Sequence, residues 1–275
     1  MNEFGKLYVV GTPIGNLSDM SQRAAQVLSE VDFIAAEDTR VTLKLLNHLD
    51  IKKPMVSYFE HNKQYRGEII CNRIMQGENC AVVTDAGMPC ISDPGEQLIM
   101  QCEERGITTV VVPGPSAVIS ALCVSGLATG RFTFEGFLSV NKKSRREHLG
   151  ELVNEQRTMI FYEAPHKLSA TLKDFYDTFG ERKLTIAREL TKLHEEIIRT
   201  NTKEALEKYG DGSLKGEMVL ILEGAKLKKE AQYSLEDAVA LAKELMEKGE
   251  KTMQAAKEAA TVTGIKKNDI YRELV

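Results

Sequence analysis

The stretch YVVGTPIGNLSD, residues 8–19, leads from an apolar run through a turn with two glycines into a helical pattern. Four apolar residues beyond Ser21 recur at the spacing of one helix face: Ala24, Val27, Leu28 and Val31. Ser21 is a residue type that commonly caps helices. The stretch therefore predicts a strand, a turn and a helix, the arrangement that places ligands at strand ends in α/β proteins.

The same alternation continues over the first 115 residues. Apolar runs predict strands at Lys6–Val10, Asp32–Ala36, Pro54–Tyr58, Cys80–Thr84 and Thr108–Val112. Because helical patterns separate these runs, we expect a mainly parallel sheet with helices on both faces.

A Pro-Gly-Pro turn within Val112–Ser116 interrupts this rhythm, and a second strand and helix series follows. Its strands are predicted at Arg131–Leu138, Thr158–Glu163, Lys183–Arg188 and Met218–Glu223. Three further helices are predicted near residues 235–248, 252–262 and 268–274, the last two with helix-turn-helix proportions. We therefore predict two α/β domains, residues 1–115 and 116–225, and a C-terminal helical extension, residues 226–275.

Composition limits the classes of partner. The net charge of −4 gives no bulk attraction to nucleic acid, so contact with RNA would need local basic patches. Five cysteines without CxxC spacing favour reduced thiols and predict no metal site. We see no signal peptide and no apolar run of membrane-spanning length, which predicts a cytoplasmic protein without membrane contact.

The opening turn does not have the features of a phosphate-binding loop. GTPIGN lacks the GxGxxG spacing of dinucleotide-binding proteins and the Gly-Lys-Ser/Thr ending of a P-loop. Pro13 also removes one backbone N–H that such a loop would use. A tight strand–helix connection and a ligand-facing turn both remain open interpretations.

The loop VVTDAGMPCISDPG, residues 82–95, also follows a predicted strand. Asp85 lies at the strand end, where a carboxylate can accept hydrogen bonds from a ligand, and Gly87 permits close approach to the backbone. Ser92, Asp93 and Pro94 resemble a helix start with proline in the first position, so we interpret Asp93 as a cap.

Charged residues end three other predicted strands, in EDTR (37–40), FYEAPHK (161–167) and ARELTK (187–192). Acidic residues are also common at solvated helix starts, so a structural interpretation of each segment stays open. A role in binding or proton transfer is the alternative.

The order GTPIGNL, EDTR, TDAGMPCISDPG, VPGPSA, FYEAPHK, ARELTK and GEMVLILEG resembles the tetrapyrrole methylase-like family, the class III S-adenosylmethionine-dependent methyltransferases. The resemblance covers residues 6–224, and the tail is similar to an extension on one branch. It implies a homodimer with S-adenosylmethionine in a cleft between two α/β domains. The implied donor contacts are Asp85, Ala86, Gly87, Met88, Ser116, Ala117, Tyr162, Leu190 and Met218.

The resemblance further implies methylation of a cytidine 2′-hydroxyl in the decoding region of 16S rRNA within the small ribosomal subunit. A base would assist such a weak nucleophile, and the candidates are Asp38, Glu163, His166 and Lys192. Residues expected at the substrate side of the cleft are Thr12, Pro13, Asn16, Glu37 and Arg40. Phosphate contacts are expected from Lys142, Lys143, Arg145 and Arg146 in the turn-like segment NKKSRREH, which could alternatively be a solvated loop.

Three other functions agree less well with the sequence. A family relative acting on a tetrapyrrole or another small acceptor is disfavoured by the basic segment and the helical tail. A nicotinamide-dependent oxidoreductase is disfavoured because neither strand-end loop has GxGxxG followed by a ribose-binding acid. A non-enzymatic RNA-binding assembly factor would leave the donor-site motifs without a purpose.

Overall fold

A computed structural model describes residues 4–226 and 233–275 of the chain. The first half contains a fully parallel sheet in the order β3-β2-β4-β1-β5. Its strands are β1 (Lys6–Val10), β2 (Phe33–Ala36), β3 (Met55–Ser57), β4 (Cys80–Val83) and β5 (Thr108–Val112). Each of the five strands lies within a predicted run, so this part of the sequence analysis is confirmed.

Four helices accompany this sheet: α1 (Gln22–Glu30), α2 (Thr39–His48), α3 (Lys63–Met75) and α4 (Glu96–Glu104). The next helix, α5 (Ala117–Ser125), packs on the sheet of the second half instead. The predicted cap of α1 is present, because the Ser21 hydroxyl oxygen accepts a hydrogen bond from the Ala24 N–H (3.1 Å). The apolar face of α1 is buried. Separate apolar clusters around Leu7 and around Val10 cover opposite faces of the sheet.

The second half contains a mixed sheet in the order β6-β7-β10-β8-β9. Its strands are β6 (Phe132–Phe137), β7 (Thr158–Glu163), β8 (Lys183–Arg188), β9 (Glu196–Asn201) and β10 (Met218–Leu222). The strands β6 and β7 run parallel, and the remaining pairs are antiparallel. The edge strand β9 was not predicted, because its residues EIIRTN are half-exposed and do not alternate cleanly between apolar and polar.

Besides α5, three helices belong to this half: α6 (Lys142–Glu151), α7 (Leu168–Phe179) and α8 (Thr202–Tyr209). The basic segment NKKSRREH is therefore helical, and its interpretation as a turn was wrong. Asn141 caps α6, because its side-chain oxygen accepts hydrogen bonds from the Lys143 and Ser144 N–H groups. Leu149 is the buried residue of this helix, so apolar periodicity was too weak to reveal it.

The chain divides into two compact units, Met1–Ala225 and Lys226–Val275. The second contains α9 (Leu235–Glu247), α10 (Thr252–Thr263) and α11 (Lys267–Leu274), close to the predicted bounds. Ser234 and Asp237 form a capping box at the start of α9, and alanines dominate the small core.

The predicted fold class is confirmed, and the finer division at residue 115 stays a prediction. No helix in the described parts of the chain has both the length and the apolar character of a bilayer span.

The loops after β1 and β5 touch through their glycines. A Cβ atom on Gly11 would lie 2.7 Å from the Gly114 Cα and 2.6 Å from the Met88 Sδ. A Cβ atom on Gly114 would lie 2.9 Å from the Gly11 carbonyl carbon. Both positions therefore require glycine, since backbone atoms cannot give way as a flexible side chain can.

We expect Gly11→Ala to lower the free energy of unfolding by about 1–3 kcal/mol, because the added methyl group forces two loop backbones apart. Gly150→Ala is the matched control. Its Cβ would meet nothing within 4 Å, on an exposed helical position. This control should be neutral or stabilising by about 0.5–1 kcal/mol. Equal urea-unfolding midpoints for Gly11→Ala and the unsubstituted protein would show that the loops do not need this contact.

Candidate active site

The opening turn is joined to the acidic loop that follows β4 by an antiparallel bridge. The Thr12 N–H donates to the Gly87 carbonyl (2.9 Å), and the Gly87 N–H donates to the Thr12 carbonyl (3.2 Å). The Thr12 hydroxyl also donates to the Thr84 carbonyl (3.2 Å). The turn therefore holds the loop after β4 in place. Because the polar groups of Thr12 are used in these bonds, they are not available to bind a phosphate.

A cavity of about 330 Å³ opens between these loops and the strand ends of the second sheet. Its volume is at the lower end of the range of small-ligand sites. All nine residues implied as donor contacts line it: Asp85, Ala86, Gly87, Met88, Ser116, Ala117, Tyr162, Leu190 and Met218. The fold thus brings together the residues that the sequence analysis grouped, and their contact with a methyl donor stays a prediction.

One side of the cavity is apolar and aromatic. Tyr162 on β7 packs against Phe134 and Phe137 of β6, with ring centroids 5.0 and 5.3 Å apart. Leu190 and Met218 lie on the same lining. This side offers a surface on which a flat heterocycle can stack.

The other side carries a network of carboxylates. The Thr84 hydroxyl donates to Glu37 (2.5 Å), and the Asp85 carboxylate accepts from the Asp38 N–H (3.1 Å). Burial raises the pKa of Asp85, and the nearby Glu37 carboxylate raises it further. Both Glu37 and Asp85 face the cavity, as expected for ligand-binding residues at strand ends.

Asp93 is not a helix cap, contrary to the prediction. Helix α4 begins three residues later, at Glu96, and its N-cap is Gly95, whose φ of 145° is outside the helical region. Asp93 instead lines the cavity. Burial, with a further contribution from Glu37, raises the pKa of Asp93 to about 6.

Lys192 closes the cavity from the second sheet. Its ammonium contacts Glu217 (2.8 Å) and Glu189 (3.1 Å). Burial disfavours the charged form, but these two carboxylates outweigh it and raise the pKa of Lys192. A lysine held protonated by two carboxylates is poorly suited to act as a base. The backbone here is unusual, since Glu189 and Thr191 have φ values of 49° and 65°.

The other predicted bases differ in their surroundings. Asp38 caps α2 and pairs with Arg40, whose hydrogen bonds lower the pKa of Asp38 to about 2. His166 is exposed and does not line the cavity. Glu163 does line it, but its carboxylate accepts hydrogen bonds from the Thr171 hydroxyl and the Ala164 N–H. Asp38 and His166 are therefore placed outside the cavity lining that a base would need.

The predicted substrate contacts in the opening turn also separate. Thr12 and Pro13 are buried and hold the turn, so they are poorly placed to contact a large substrate. Asn16 is exposed, and its side-chain oxygen caps the short helix Leu17–Asp19. Arg40 is exposed beside the cavity residue Glu37, although its guanidinium already contacts Asp38.

The four cations predicted to contact phosphate have two different roles. The Arg145 guanidinium contacts the buried Asp174 carboxylate on α7 at 2.6 Å, and its side chain is 15% exposed. Lys142, Lys143 and Arg146 are exposed on α6. Arg145 is thus committed to packing α6 on α7. The other three cations are exposed and could contact a polyanion, although the Lys143 ammonium also lies 3.8 Å from the Glu147 carboxylate.

The cavity lining as a whole suits a cationic ligand. One lysine faces six carboxyl groups there: Glu37, Asp85, Asp93, Glu163, Glu189 and Glu217. A polyphosphate would be repelled by this set, whereas a sulfonium or ammonium group would be attracted. Within residues 4–226 and 233–275, no group of three or more His, Cys, Asp or Glu side chains could hold a metal ion.

Comparison with known proteins adds independent findings. The model of the family Tetrapyrrole (Corrin/Porphyrin) Methylases matches residues 6–206. A Synechocystis protein named Ribosomal RNA small subunit methyltransferase I is 45% identical over 269 residues, covering 98% of this chain and 96% of that protein. A Thermotoga maritima protein of the same name is 47% identical over 220 residues, covering 80% of this chain and 99% of that protein.

Among solved structures, uroporphyrin-III C-methyltransferase from Thermus thermophilus, complexed with S-adenyl homocysteine, has a similar fold. The TM-score is 0.57 at 17% identity, and the match covers 80% of this chain and 97% of that one. At this identity the similarity concerns the fold.

We expect Arg145→Ala to destabilise the protein by about 3 kcal/mol, because it leaves the Asp174 carboxylate buried without its cation. Arg146→Ala removes a neighbouring exposed charge and should change the unfolding free energy by less than about 0.5 kcal/mol. Denaturant titration of both variants measures the difference. Equal small effects would mean that the Arg145–Asp174 pair does not hold α6 in place.

Proposed function

The chain belongs to the family of tetrapyrrole (corrin/porphyrin) methylases, and we propose that it transfers a methyl group from S-adenosylmethionine to small-subunit ribosomal RNA. Relatives at 40–47% identity that are named Ribosomal RNA small subunit methyltransferase I support the RNA acceptor. The observation that carries the proposal is the acid-rich, aromatic-walled cavity at the strand ends of both sheets.

The residues present fit the methyl donor. Tyr162, Leu190 and Met218 offer an apolar wall for the adenine, and Asp85 offers a carboxylate for hydroxyl or amino groups. A Cβ atom on Gly87 would lie 3.4 Å from Ile14 Cγ2. The absence of a side chain at Gly87 therefore leaves the ligand free to approach the backbone. S-adenosylmethionine has a positively charged sulfur and no phosphate group. Both features agree with the excess of carboxylates in the cavity lining.

When bound, the donor supplies a methyl group on a positively charged sulfur, which departs with the electrons of the broken bond. The protein's task is to hold an acceptor oxygen in line behind that carbon. Such positioning can provide about 7–11 kcal/mol of the barrier. The acidic lining contributes to binding rather than to the rate, because it favours the sulfonium over neutral competitors for the cavity.

We propose that the acceptor is the 2′-hydroxyl of a cytidine in the decoding region of 16S rRNA. The exposed Lys142, Lys143 and Arg146 on α6 supply the local positive charge that an acidic protein needs for RNA contact. Glu37 and Arg40, at and beside the cavity lining, remain candidates for contact with the nucleotide. A ribose reaches the cavity if its nucleotide is splayed out of the RNA stack.

The helical extension has an accessory role in this proposal. The Thermotoga maritima relative matches over 220 residues that make up 99% of its own length, so it has no full counterpart of this chain's 275 residues. A protein of the same name therefore does without part of this chain. The extension, with Lys266 and Lys267 before and at the start of α11, would add affinity for RNA rather than chemistry.

We also propose that the protein acts as a homodimer in the cytoplasm. Apolar side chains are exposed on β5 and on α5, including Val111 (59%), Ile119 (47%) and Val124 (39%). β5 lies at one end of its sheet, where exposed apolar residues favour pairing with another chain. Sedimentation at micromolar concentration measures the subunit number.

The test of the function is transfer of labelled methyl groups to small subunits from a strain that lacks this gene, followed by mass mapping of the rRNA. The proposal expects one methyl group on a cytidine ribose in the decoding region. A methyl group on a base nitrogen or carbon would contradict it. Inactivity on rRNA with activity on a tetrapyrrole would support the small-acceptor alternative.

We expect Asp85→Asn to weaken the binding of S-adenosylmethionine by about tenfold, or roughly 1.4 kcal/mol, because a charged hydrogen bond becomes a neutral one. Calorimetry with the donor alone measures this affinity. Asp19→Asn, on the exposed helix Leu17–Asp19, makes the same change away from the cavity and should bind normally. Unchanged affinity in Asp85→Asn would remove Asp85 from the donor site.

Reversal of the three exposed cations, as Lys142→Glu, Lys143→Glu and Arg146→Glu together, should weaken binding to small subunits at least about tenfold and flatten its salt dependence. Donor affinity should stay normal, because α6 does not line the cavity.

The control for this variant reverses three exposed lysines elsewhere, Lys44, Lys52 and Lys203, with the same change in net charge. Equal losses in both triple variants would show that net charge, rather than the α6 surface, governs RNA binding.

A further inference from the structure

We propose that Phe137, the last residue of β6, is the surface on which the base of the acceptor nucleotide stacks when that nucleotide enters the cavity. The inference rests on the proposed function, since it assigns a site to one part of the RNA substrate.

A bulge in β6 sets the direction of the Phe137 side chain. Along a regular strand, successive side chains point to opposite faces of a sheet, so Phe134 and Phe137 would face opposite ways. The pairing of β6 with β7 shifts by one residue between Phe134 and Gly136, which leaves Glu135 as the extra residue. Phe137 is consequently turned to the face that Phe134 occupies.

The bulge places an aromatic ring at the cavity. Phe134 and Phe137 both contact the ring of Tyr162, although they are three positions apart on one strand. Gly136 has a φ of 64°, in a region that glycine adopts easily. Bulges are rare between parallel strands and are over-represented beside active sites, where they redirect a side chain. The irregularity is thus accounted for by the position that it gives Phe137.

Phe137 keeps most of its surface free for a further partner. It lines the cavity and is 55% exposed, whereas Tyr162 is half-buried and Met218 is buried on the same lining. The rings of Phe137 and Tyr162 are inclined by 53°, so Tyr162 does not cover the Phe137 ring as a parallel neighbour would. A ligand inside the cavity covers the buried side chains, and Phe137 remains for a group that enters from solvent.

A second exposed apolar side chain on the cavity lining comes from the other half of the chain. Ile91, in the loop after β4, lines the cavity and is 64% exposed. Enzymes that draw a nucleotide out of its stack hold the base between aromatic and apolar side chains. Phe137 and Ile91 provide these two kinds of surface at one cavity.

Phe137 is also tied to the helix that carries the exposed cations. The bulge residue Glu135 lies 3.0 Å from the ring nitrogen of His148 on α6. Two residues beyond Phe137, the Ser139 hydroxyl oxygen accepts a hydrogen bond from the N–H of Asn141, the cap of α6. β6 and α6 are therefore held together, so an RNA chain bound along α6 has neighbouring nucleotides near Phe137.

Stacking on Phe137 would act after the subunit has docked. An aromatic side chain binds the flat face of any base, and this contact offsets part of the cost of taking the nucleotide out of the RNA. Phosphate contacts far from the cavity govern docking itself. Stacking therefore raises the fraction of bound subunits whose ribose is in place, and with it the turnover, rather than the affinity for the subunit.

The experiment compares Phe137→Ala, Phe137→Leu and Phe137→Tyr in the full-length protein. Turnover is measured with donor and small subunits both saturating, together with subunit binding and calorimetry with S-adenosylmethionine alone. We expect Phe137→Ala and Phe137→Leu to lose about tenfold in turnover, with both affinities within about twofold of normal. Phe137→Tyr should retain at least about half of the turnover, because its ring presents the same face.

Phe132→Leu is the matched control. Phe132 begins the same strand, is partly exposed and does not line the cavity, so this variant should turn over normally. Phe137→Leu keeps apolar bulk at the end of β6, which separates the loss of stacking from a loss of folding.

Normal turnover of Phe137→Ala on subunits that the unsubstituted protein methylates would overturn the inference and leave the proposed function intact. Full turnover of Phe137→Leu, or a Phe137→Tyr variant as impaired as Phe137→Ala, would also overturn it, since neither agrees with a need for an aromatic face. Loss of donor affinity in Phe137→Ala would place the ring against the donor instead. Inactivity of the unsubstituted protein on rRNA would overturn the proposed function, and this inference with it.

Discussion

Contact between the backbones of three strand-end loops is the constraint on which the rest of the site depends. Gly11 lies against Gly114, and Thr12 pairs with Gly87 through two hydrogen bonds. These contacts leave no room for a side chain at Gly11 or Gly114. The three loops consequently hold one another in place, and this fixes the positions of Asp85 and its neighbours.

Electrostatics then decides what these loops can bind. A glycine-rich turn usually meets phosphate with N–H groups and a helix terminus. Here the N–H groups of Thr12 and Gly87 are used up in the bridge, and carboxylates face the cavity instead. The same strand–turn–helix arrangement therefore serves a positively charged ligand without phosphate. Exposed positive charge lies elsewhere, on α6, where we propose contact with RNA.

Much of this could be predicted from the sequence, because buried parallel strands appear as apolar runs and strand-end motifs keep their order. The failures share a physical origin in weak periodicity or ambiguous caps. The edge strand Glu196–Asn201 is half-exposed, and α6 buries a single leucine beneath a run of charges. Asp93 precedes proline, which is typical of a helix start, but Gly95 adopts a non-helical φ and delays the helix. The buried partner of Arg145 is 29 residues away, beyond any local pattern.

We propose that the acid-lined cavity at the loops after β1, β4 and β5 holds the methyl donor. A crystal structure of this protein with S-adenosylhomocysteine tests it most directly. We predict the adenine against Tyr162 and Leu190, with Asp85 and Ser116 within hydrogen-bonding distance of the ligand and the Thr12–Gly87 bridge unchanged. A ligand bound outside this cavity, or a bridge broken on binding, would contradict the account.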